Sequence, residues 1–303
     1  MTQPLVSVVT PFHNTAVHLG TCIDSVISQT WTNFEYILVN NRSTDGADAV
    51  ARDWARRDSR IRVIDQPAFL SQVDNYNAAL THIAGDSAYV KLVQADDHIS
   101  SECLEQMVGV GELDPAVAII ASWYSYGPWV LFRTLPEDVP VHDGRAVCRQ
   151  QLLSPWFFMG NPTTVMYRAA CVRSRSPFYD PARFHEDTEV CFELLRTHKL
   201  GFVPRVLSWV RTEDDPESVT GARKDDDWFL ALQYTMLRRF GPEFLTPEEL
   251  APVERRVTRL YARRLLRAAL SFRRGGYFAF HRRRVAELGE SLTPFWVMAR
   301  ALA

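Results

Sequence analysis

Two adjacent carboxylates, Asp96 and Asp97, follow the apolar, strand-like run Tyr89-Val90-Lys91-Leu92-Val93. At the end of a buried strand such a pair is costly unless compensated, and the usual compensation is a hard divalent cation, Mg2+ or Mn2+, with the hydroxyls of a bound ligand. The pair therefore reads as a metal-nucleotide site, its alternative use being a solvated loop end or a helix cap. A second acidic pair, Glu186-Asp187, opens a segment whose apolar residues Val190, Cys191, Leu194 and Leu195 recur at helical spacing. Acidic residues in a first turn also serve the helix dipole, so this pair has both a structural and a chemical reading.

The elements that must position these groups alternate along the first hundred residues. Leu5 to Thr10 is β-rich and is expected to stop at Pro11. Asn14 or Thr15 can cap a helix with the apolar face Leu19, Cys22, Ile23, Val26 and Ile27. A second strand, Phe34 to Val39, leads into the polar loop Asn40-Asn41-Arg42-Ser43-Thr44-Asp45-Gly46 and a helix through about Arg57, with Asp45 placed to cap it. Ile61 to Ile64 reads as a strand, Val73 to Ala84 as a helix, and Ser87 to Val93 as the strand that delivers Asp96 and Asp97. This βαβαβαβ order implies an α/β fold with a mainly parallel sheet, right-handed crossovers and helices on both faces. In such sheets ligands bind at the carboxyl ends of strands, where Asn40-Asn41 and Asp96-Asp97 both fall.

Composition excludes several classes. The five cysteines show no CxxC or Cys/His spacing, which argues against a disulfide framework or a zinc site and for a reducing cytosol. Met1 to Val9 lacks a basic n-region, against a secretory signal. The uncharged stretches 115–132 and 150–167 carry internal prolines and polar residues, against a membrane span. Charge is uneven: residues 251–303 hold twelve Arg and three Glu, or +9, which leaves −11 for residues 1–250 within the net −2. Over Val257 to Phe272 apolar residues recur at helical spacing while Arg256, Arg259, Arg263 and Arg267 occupy another face. That face is either solvated, on a helix packed against the rest of the protein, or a peripheral contact with anionic lipid. No stretch interleaves basic and aromatic residues as a nucleic-acid module does, so no nucleic-acid partner is expected.

Four blocks in order carry a family resemblance: Val6 to Asn14, Ile23 to Thr30, Asn40 to Gly46, and Ala95-Asp96-Asp97. Together they resemble the nucleotide-sugar half of inverting family 2 glycosyltransferases with the GT-A fold, a likeness that extends to about residue 220. It implies a metal-dependent transferase that moves a sugar from a nucleoside diphosphate, UDP or dTDP, to a hydroxyl acceptor in cell-surface polysaccharide, glycolipid or glycosylated-metabolite synthesis. Carried over, Thr10, Pro11, Phe12, Asn14, Asn41 and Ser43 would line the nucleotide. Asp96 would contact ribose or the metal, and Asp97 would hold Mg2+ or Mn2+ at the diphosphate. Asp187 would match the general base of the family's ED motif, with Glu186 orienting it or binding the acceptor. The implied layout is a nucleotide-sugar half over 1–100, an acceptor half over 101–222 and a basic helical region over 223–303, acting in the cytoplasm or at the inner face of the membrane.

The chain departs from the pattern at Asn40-Asn41, where relatives carry aspartates, at Gln94, where they carry an acid, and near Glu213, where they often carry a histidine. Asn41 can still accept a base imide through its amide oxygen. In the segment Arg211 to Thr220, which resembles a loop covering the donor, Arg211 would replace the histidine by bridging diphosphate oxygens. Met159 to Arg168 reads as a tight turn entering a strand, similar to a segment lining the sugar pocket. Aromatic residues from Trp123 to Phe158 are expected mostly in the core, with one or two free to stack on an acceptor sugar. His13, His18, His98 and His185 are not assigned as ligands of a hard cation. The rival readings are a polyprenyl-phosphate glycosyltransferase and a non-catalytic nucleotide-sugar-binding protein.

Overall fold

The computed structural model describes residues 3–154, 159–212, 227–271 and 275–302. The chain order is β1 (Val6–Phe12), α1 (Ala16–Ile27), β2 (Phe34–Asn40), α2 (Ala47–Arg57), β3 (Ile61–Asp65), α3 (Gln72–Leu80), β4 (Tyr89–Leu92), β5 (His98–Ile99), α4 (Cys103–Gly111), β6 (Val117–Tyr126), β7 (Trp129–Leu131) and β8 (Val141–Asp143). It continues with α5 (Gly144–Leu153), a 3-10 turn at Pro162–Thr164, β9 (Val165–Arg168), α6 (Ala169–Arg173), α7 (Glu186–Leu194) and β10 (Lys199–Val210). Four helices close the chain: α8 (Trp228–Phe244), α9 (Pro247–Leu270), α10 (Gly275–Ala286) and α11 (Pro294–Leu302). The chain divides into two compact units, one of Met1–Gly144, Phe157–Ala182 and Glu186–Thr212, the other of Arg145–Trp156, Arg183–His185 and Glu213–Ala303.

The first unit is built on one sheet in the order β3-β2-β1-β4-β9-β6-β10-β5, with β7 beside β6 and β8 beside β10. The expected parallel arrangement holds through β3, β2, β1 and β4, and again between β6 and β10; β9 enters antiparallel between β4 and β6. Apolar side chains of β1, β2, β4 and β6 pack under α1 and α4, with Leu19, Cys22, Ile23 and Val26 buried as their spacing predicts.

Three local expectations are corrected. β1 does not stop at Pro11 but runs through it to Phe12, with Pro11 in register opposite Val39. Residues of a strand direct their polar groups to alternate sides, and Val9 accepts from the Val93 amide on the β4 side, so Pro11 faces that side too. There β4 has already ended, and the missing amide hydrogen deprives no partner. Helix α3 ends at Leu80 rather than Ala84. The strand expected over Ser87 to Val93 is the shorter β4, Tyr89–Leu92, and Asp96 and Asp97 follow it, as expected, in a turn just before β5.

Helix α1 begins after Thr15, but no side chain of that residue caps it. Asp45 does so from a distance: Oδ2 accepts from the Ala16 amide (2.8 Å) while Oδ1 accepts from the Ala47 amide (3.0 Å) at the start of α2. One carboxylate thus serves two helix N-termini, which fixes the loop after β2 against the loop after β1. Gly46, at φ +96°, makes the backbone turn that lets α2 start there.

The second unit is helical. The buried residues Val257, Tyr261, Leu265 and Ala268 of α9 carry the expected stripe, and the helix packs against α8 and α11. Its arginines are partly committed: Arg256 donates to the Leu153 carbonyl (3.3 Å), Arg263 to the Ala301 carbonyl (3.0 Å) and Arg264 to Asp227 (2.8 Å). The expectation for Phe272 lies outside the described residues. No helix among the described residues is long and apolar enough to cross a membrane. All five cysteines are buried and none is in a disulfide.

Losing a side-chain cap costs about 0.5–2 kcal/mol per helix. Asp45→Ala, which uncaps α1 and α2 together, is expected to lower the unfolding free energy by about 1–2 kcal/mol in urea titration, with Asp45→Asn retaining most of it; a loss no larger than that of neighbouring surface substitutions would refute the shared cap.

Candidate active site

The carboxyl ends of β1, β2 and β4 carry the residues singled out in the sequence. Asp97 is buried and its two oxygens are separately held: the Thr163 hydroxyl donates to Oδ2 (2.5 Å) and the Arg211 amide to Oδ1 (2.9 Å). The Arg211 side chain ties down the same turn, donating through Nε to the Asp96 carbonyl (3.3 Å) and meeting His18 Nδ1 with its guanidinium. Arg211 therefore fastens the acidic turn; Glu213 and the rest of the segment to Thr220 lie outside the described residues. Burial first, and the neighbouring Asp96 charge second, push the Asp97 carboxyl above the ordinary carboxylate range, against the opposing hydrogen bonds.

Thr163 is the hub of a buried network. Its hydroxyl also accepts from the Gln94 amide (3.0 Å), and its carbonyl accepts from Ser208 Oγ (2.9 Å) and from Lys91 Nζ. Lys91 is fully buried in β4 and donates as well to the Val165 carbonyl (3.1 Å). Burial pulls its ammonium below its usual range, while the Asp97 charge opposes the shift. The turn that presents Thr163 is set by Asn161, whose Oδ1 accepts from the Thr163 amide (3.0 Å), and by Pro162 at its first position.

The same segment reaches the second acidic pair. A Cβ on Gly160 would stand 2.7 Å from the backbone N and Cα of Thr188, and Gly160 has φ +144°, so only glycine lets the segment lie against the first turn of α7. Glu186 and Asp187 open that turn, with Asp187 Oδ1 accepting from the Thr188 amide (2.6 Å). Desolvation pushes the Asp187 carboxyl upward too, although its side chain keeps some exposure to solvent. Tyr76 spans the two pairs electrostatically: burial raises its phenol most, and the charges of Asp96 and Glu186 both add to the effect. Gln94, present where an acid was expected, donates to the Tyr76 hydroxyl (3.0 Å), as does Gln72 (3.0 Å).

The remaining candidates form a neighbouring cluster. Asn14, at φ +50°, accepts from the Thr44 amide (2.8 Å), while its own amide donates to Ser43 Oγ (3.1 Å). Asn40 accepts from the Ser43 amide (2.9 Å) and donates to Asp65 (3.0 Å). Asn41 pairs with the backbone of Leu70 in both directions, accepting at 2.9 Å and donating at 3.0 Å, so its amide holds the chain after β3 in place. Thr10 is buried with its hydroxyl 3.0 Å from that of Tyr36, and Phe12 belongs to the core; Pro11 is likewise buried. His13 Nδ1 sits 2.8 Å from the Asn41 carbonyl and its ring meets Phe69 edge-on. Trp156, Phe157 and Phe158 lie outside the described residues, whereas Trp129 is 58 % exposed on β7.

Gly160 and Thr163 fall in the segment Met159 to Arg168 that the sequence marks out, although their contacts with Asp97 and α7 were not legible there; Lys91 and Tyr76 were not singled out, and a lysine inside an otherwise apolar strand was the visible signal for the first. Among the described residues no three His, Cys, Asp or Glu side chains group to hold a metal. The two carboxylates at 96 and 97 nevertheless fit a cation that takes its other ligands from phosphate oxygens and water, because burial and the Asp96 charge raise the cost of ionising Asp97 and a positive charge removes that cost.

This sheet, with the candidate turns after β1, β2 and β4 at one edge, is the GT-A fold of glycosyltransferases. It resembles S. aureus TarS 1-349 in complex with UDP-GlcNAc (TM-score 0.63, 12% identity, covering 99% of this chain and 88% of that one). It also resembles the mannosyltransferase PcManGT from Pyrobaculum calidifontis in complex with GDP-Man and Mn2+ (TM-score 0.58, 15% identity, 99% and 88% coverage). Residues 7–178 match the family model "Glycosyl transferase family 2", and the chain belongs to that family. Curated relatives include the uncharacterized glycosyltransferase EpsJ of Bacillus subtilis (strain 168), 36% identical over 110 residues, or 36% of this chain and 31% of the relative. Glycosyltransferase GlyG of Streptococcus pneumoniae serotype 4 is 29% identical over 122 residues, 40% of each chain. The chain thus matches about a third to two-fifths of these relatives' length.

Gly160→Ala drives a methyl group into the α7 backbone. It is expected to lower the urea midpoint by an amount equivalent to about 1–3 kcal/mol of overpacking, and an unchanged midpoint would show that the segment does not bear on α7. Carboxyls raised in the folded state bind more protons there than in the unfolded chain, so stability falls as pH rises out of the ordinary carboxylate range. The thermal midpoint of the ligand-free protein should therefore drop between about pH 5 and about pH 8 by more in wild type than in Asp97→Asn; equal drops would mean that Asp97 ionises without penalty.

Proposed function

We propose that this chain is a metal-dependent, inverting glycosyltransferase that moves a sugar from a nucleoside diphosphate, UDP or dTDP, to a hydroxyl acceptor. The observation that carries the reading is the physical tie between the two acidic pairs: one short segment holds Asp97 through Thr163 and abuts Asp187-Thr188 through Gly160. A donor phosphate group and an acceptor hydroxyl must meet at one anomeric carbon, and that tie sets the distance between their sites. In support, the chain belongs to glycosyl transferase family 2, and solved proteins of similar fold hold UDP-GlcNAc or GDP-Man with Mn2+.

Asp97, with Asp96, would hold Mg2+ or Mn2+, which when bound supplies Lewis-acid stabilisation of the departing diphosphate. Asp96 would also meet the ribose hydroxyls. Asp187 acts as general base: desolvation raises its proton affinity toward that of a group able to take the acceptor's proton, and the Thr188 amide orients it. Glu186 stands beside it to bind or orient the acceptor. One base suffices for inversion, because attack comes from the face opposite the diphosphate and no covalent intermediate forms. The turns at Thr10 to Asn14 and Asn41 to Ser43 would line the nucleotide. Asn41 acts on the base indirectly, by fixing the backbone at Leu70. The nucleotide half spans 1–100, the acceptor half 101–222 and the basic helical region 223–303, with Trp129 available to stack on an acceptor sugar.

The products fitting this reading are cell-surface polysaccharides, glycolipids or glycosylated metabolites made in the cytoplasm or at the inner membrane face, a reducing setting consistent with buried thiols. A lipid-borne acceptor is favoured by one observation: Leu260 and Leu270 are exposed on α9, which carries six arginines, and Phe295 and Met298 are exposed on α11.

The test is a thermal-shift screen of UDP, dTDP and GDP with and without Mn2+, run beside donor turnover on wild type, Asp97→Asn and Asp187→Asn. Asp97→Asn is expected to abolish the Mn2+-dependent shift. Asp187→Asn is expected to keep that shift while losing about 10²–10⁴-fold in turnover. Turnover unchanged by Asp187→Asn would remove the base from the mechanism, and tight binding without turnover by wild type would favour a non-catalytic binding protein.

A further inference from the structure

Tyr76, on α3, is 7 % exposed, and its phenol oxygen is engaged from two sides. The side-chain amides of Gln72, on the same helix, and of Gln94, in the turn after β4, each donate to it at 3.0 Å. Those two bonds occupy the oxygen's lone pairs and leave its hydrogen to be given elsewhere. Among the described residues that hydrogen has no acceptor. A buried donor without an acceptor is costly, and a phenol with only a packing task would avoid the loss. A carboxylate at position 94 would have taken the hydrogen; the Gln94 amide donates instead and turns it away.

The surroundings say what the missing acceptor is. Gln94 meets Tyr76 with its side chain, while its backbone amide donates to Thr163 Oγ1 (3.0 Å), whose hydroxyl donates to Asp97. Asn77, the next residue of α3, pairs with the backbone of Tyr179 in both directions, donating at 2.7 Å and accepting at 2.8 Å. Helix α3 is thereby held to the chain that runs on toward Glu186-Asp187, and the Tyr76 ring lies 6.1 Å from that of Tyr179. The phenol is thus fixed to the supports of both acidic pairs. Burial first, and the charges of Asp96 and Glu186 after it, raise its proton affinity, so it stays a neutral donor through the neutral pH range.

A neutral oxygen suits this place better than an anionic one. A phosphate oxygen beside the charges of Asp96 and Glu186 needs a cation between them, whereas a sugar hydroxyl accepts from the phenol without adding charge. In a transferase the reacting sugar lies between the diphosphate at one carboxylate pair and the acceptor at the other. We propose that the Tyr76 hydroxyl donates a hydrogen bond to a hydroxyl of the sugar being transferred, with the Gln72 and Gln94 amides fixing the direction of its O–H, and that Tyr76 is thereby a specificity-determining residue for the donor. This role rests on the transferase reading and adds to it the residue that reads the sugar.

Calorimetry on the full chain with Mn2+ compares UDP with UDP-glucose, UDP-galactose and UDP-N-acetylglucosamine, and dTDP with dTDP-glucose, for wild type and for Tyr76→Phe, which removes only the oxygen. At least one sugar nucleotide is expected to bind the variant about 2- to 10-fold more weakly, the effect of one neutral hydrogen bond, while the bare diphosphates bind as before. The deoxy analogue of that sugar nucleotide lacking the hydroxyl in question is expected to bind wild type and variant equally. Gln72→Ala changes an exposed side chain, keeps the phenol and frees it to turn; it is expected to fall between the two proteins, and it serves if Tyr76→Phe does not fold. Equal weakening of diphosphates and sugar nucleotides would make Tyr76 a support of the acidic turn alone, and unchanged affinity for every sugar nucleotide would deny it a sugar contact; either result overturns the proposal. If neither protein binds any nucleoside diphosphate, the transferase reading itself falls and this role falls with it.

Discussion

The structure turns on a carboxylate kept away from water. Asp97 is buried beside a second acid, and it is tolerable there only because a hydroxyl and a backbone amide each engage one of its oxygens. Those two donors come from residues 66 and 114 positions away along the chain, so the contact can exist only after the sheet has assembled around β4, β9 and β10. The sheet's second half, with β9 running antiparallel between β4 and β6, is what delivers the Thr163 turn to that place. A folding requirement and a chemical one coincide in this residue.

Lys91 extends the same logic one layer deeper. A buried ammonium next to a buried carboxylate invites a direct pair, yet the lysine spends its hydrogen bonds on the carbonyls of Thr163 and Val165 and acts on Asp97 through the field alone. The acid thus keeps lone pairs available for a ligand while the local charge is partly balanced. Gly160 saves space in a complementary way, since a side chain there would part the segment before β9 from α7. The two acidic pairs, Asp96-Asp97 and Glu186-Asp187, are consequently joined through one short segment.

Much of this was legible in the sequence where the signal is local. The alternation of strand and helix to residue 100 predicts the parallel half of the sheet, and the apolar spacing of α1, α7 and α9 predicts their buried faces. The family blocks point to Asp96-Asp97, and the ED motif to Glu186-Asp187. What local pattern could not supply is who touches whom at long range. Thr163 looks like any threonine after a proline, because its hydroxyl partner is fixed by the fold and not by spacing. Pro11 reads as a strand terminator, since the sequence does not reveal that its side of β1 is already unpaired. Asn41 reads as a base-facing amide, while its geometry shows both of its functions committed to Leu70. The arginines of α9 read as one uniform face, yet three of them go to the carbonyls of Leu153 and Ala301 and the carboxylate of Asp227.

The thiols have a consequence of a different kind. All five cysteines are buried, and burial pushes Cys22 and Cys191 up to about 12, far from the thiolate form that reacts. The exterior is therefore chemically silent toward maleimides and other thiol reagents. A single cysteine introduced on the surface would be the one addressable position, so a fluorophore or spin label can be installed without first stripping the native residues. Distances between the helical unit and the sheet could then be followed in solution during a reaction cycle, in a protein whose interior packing has been left untouched.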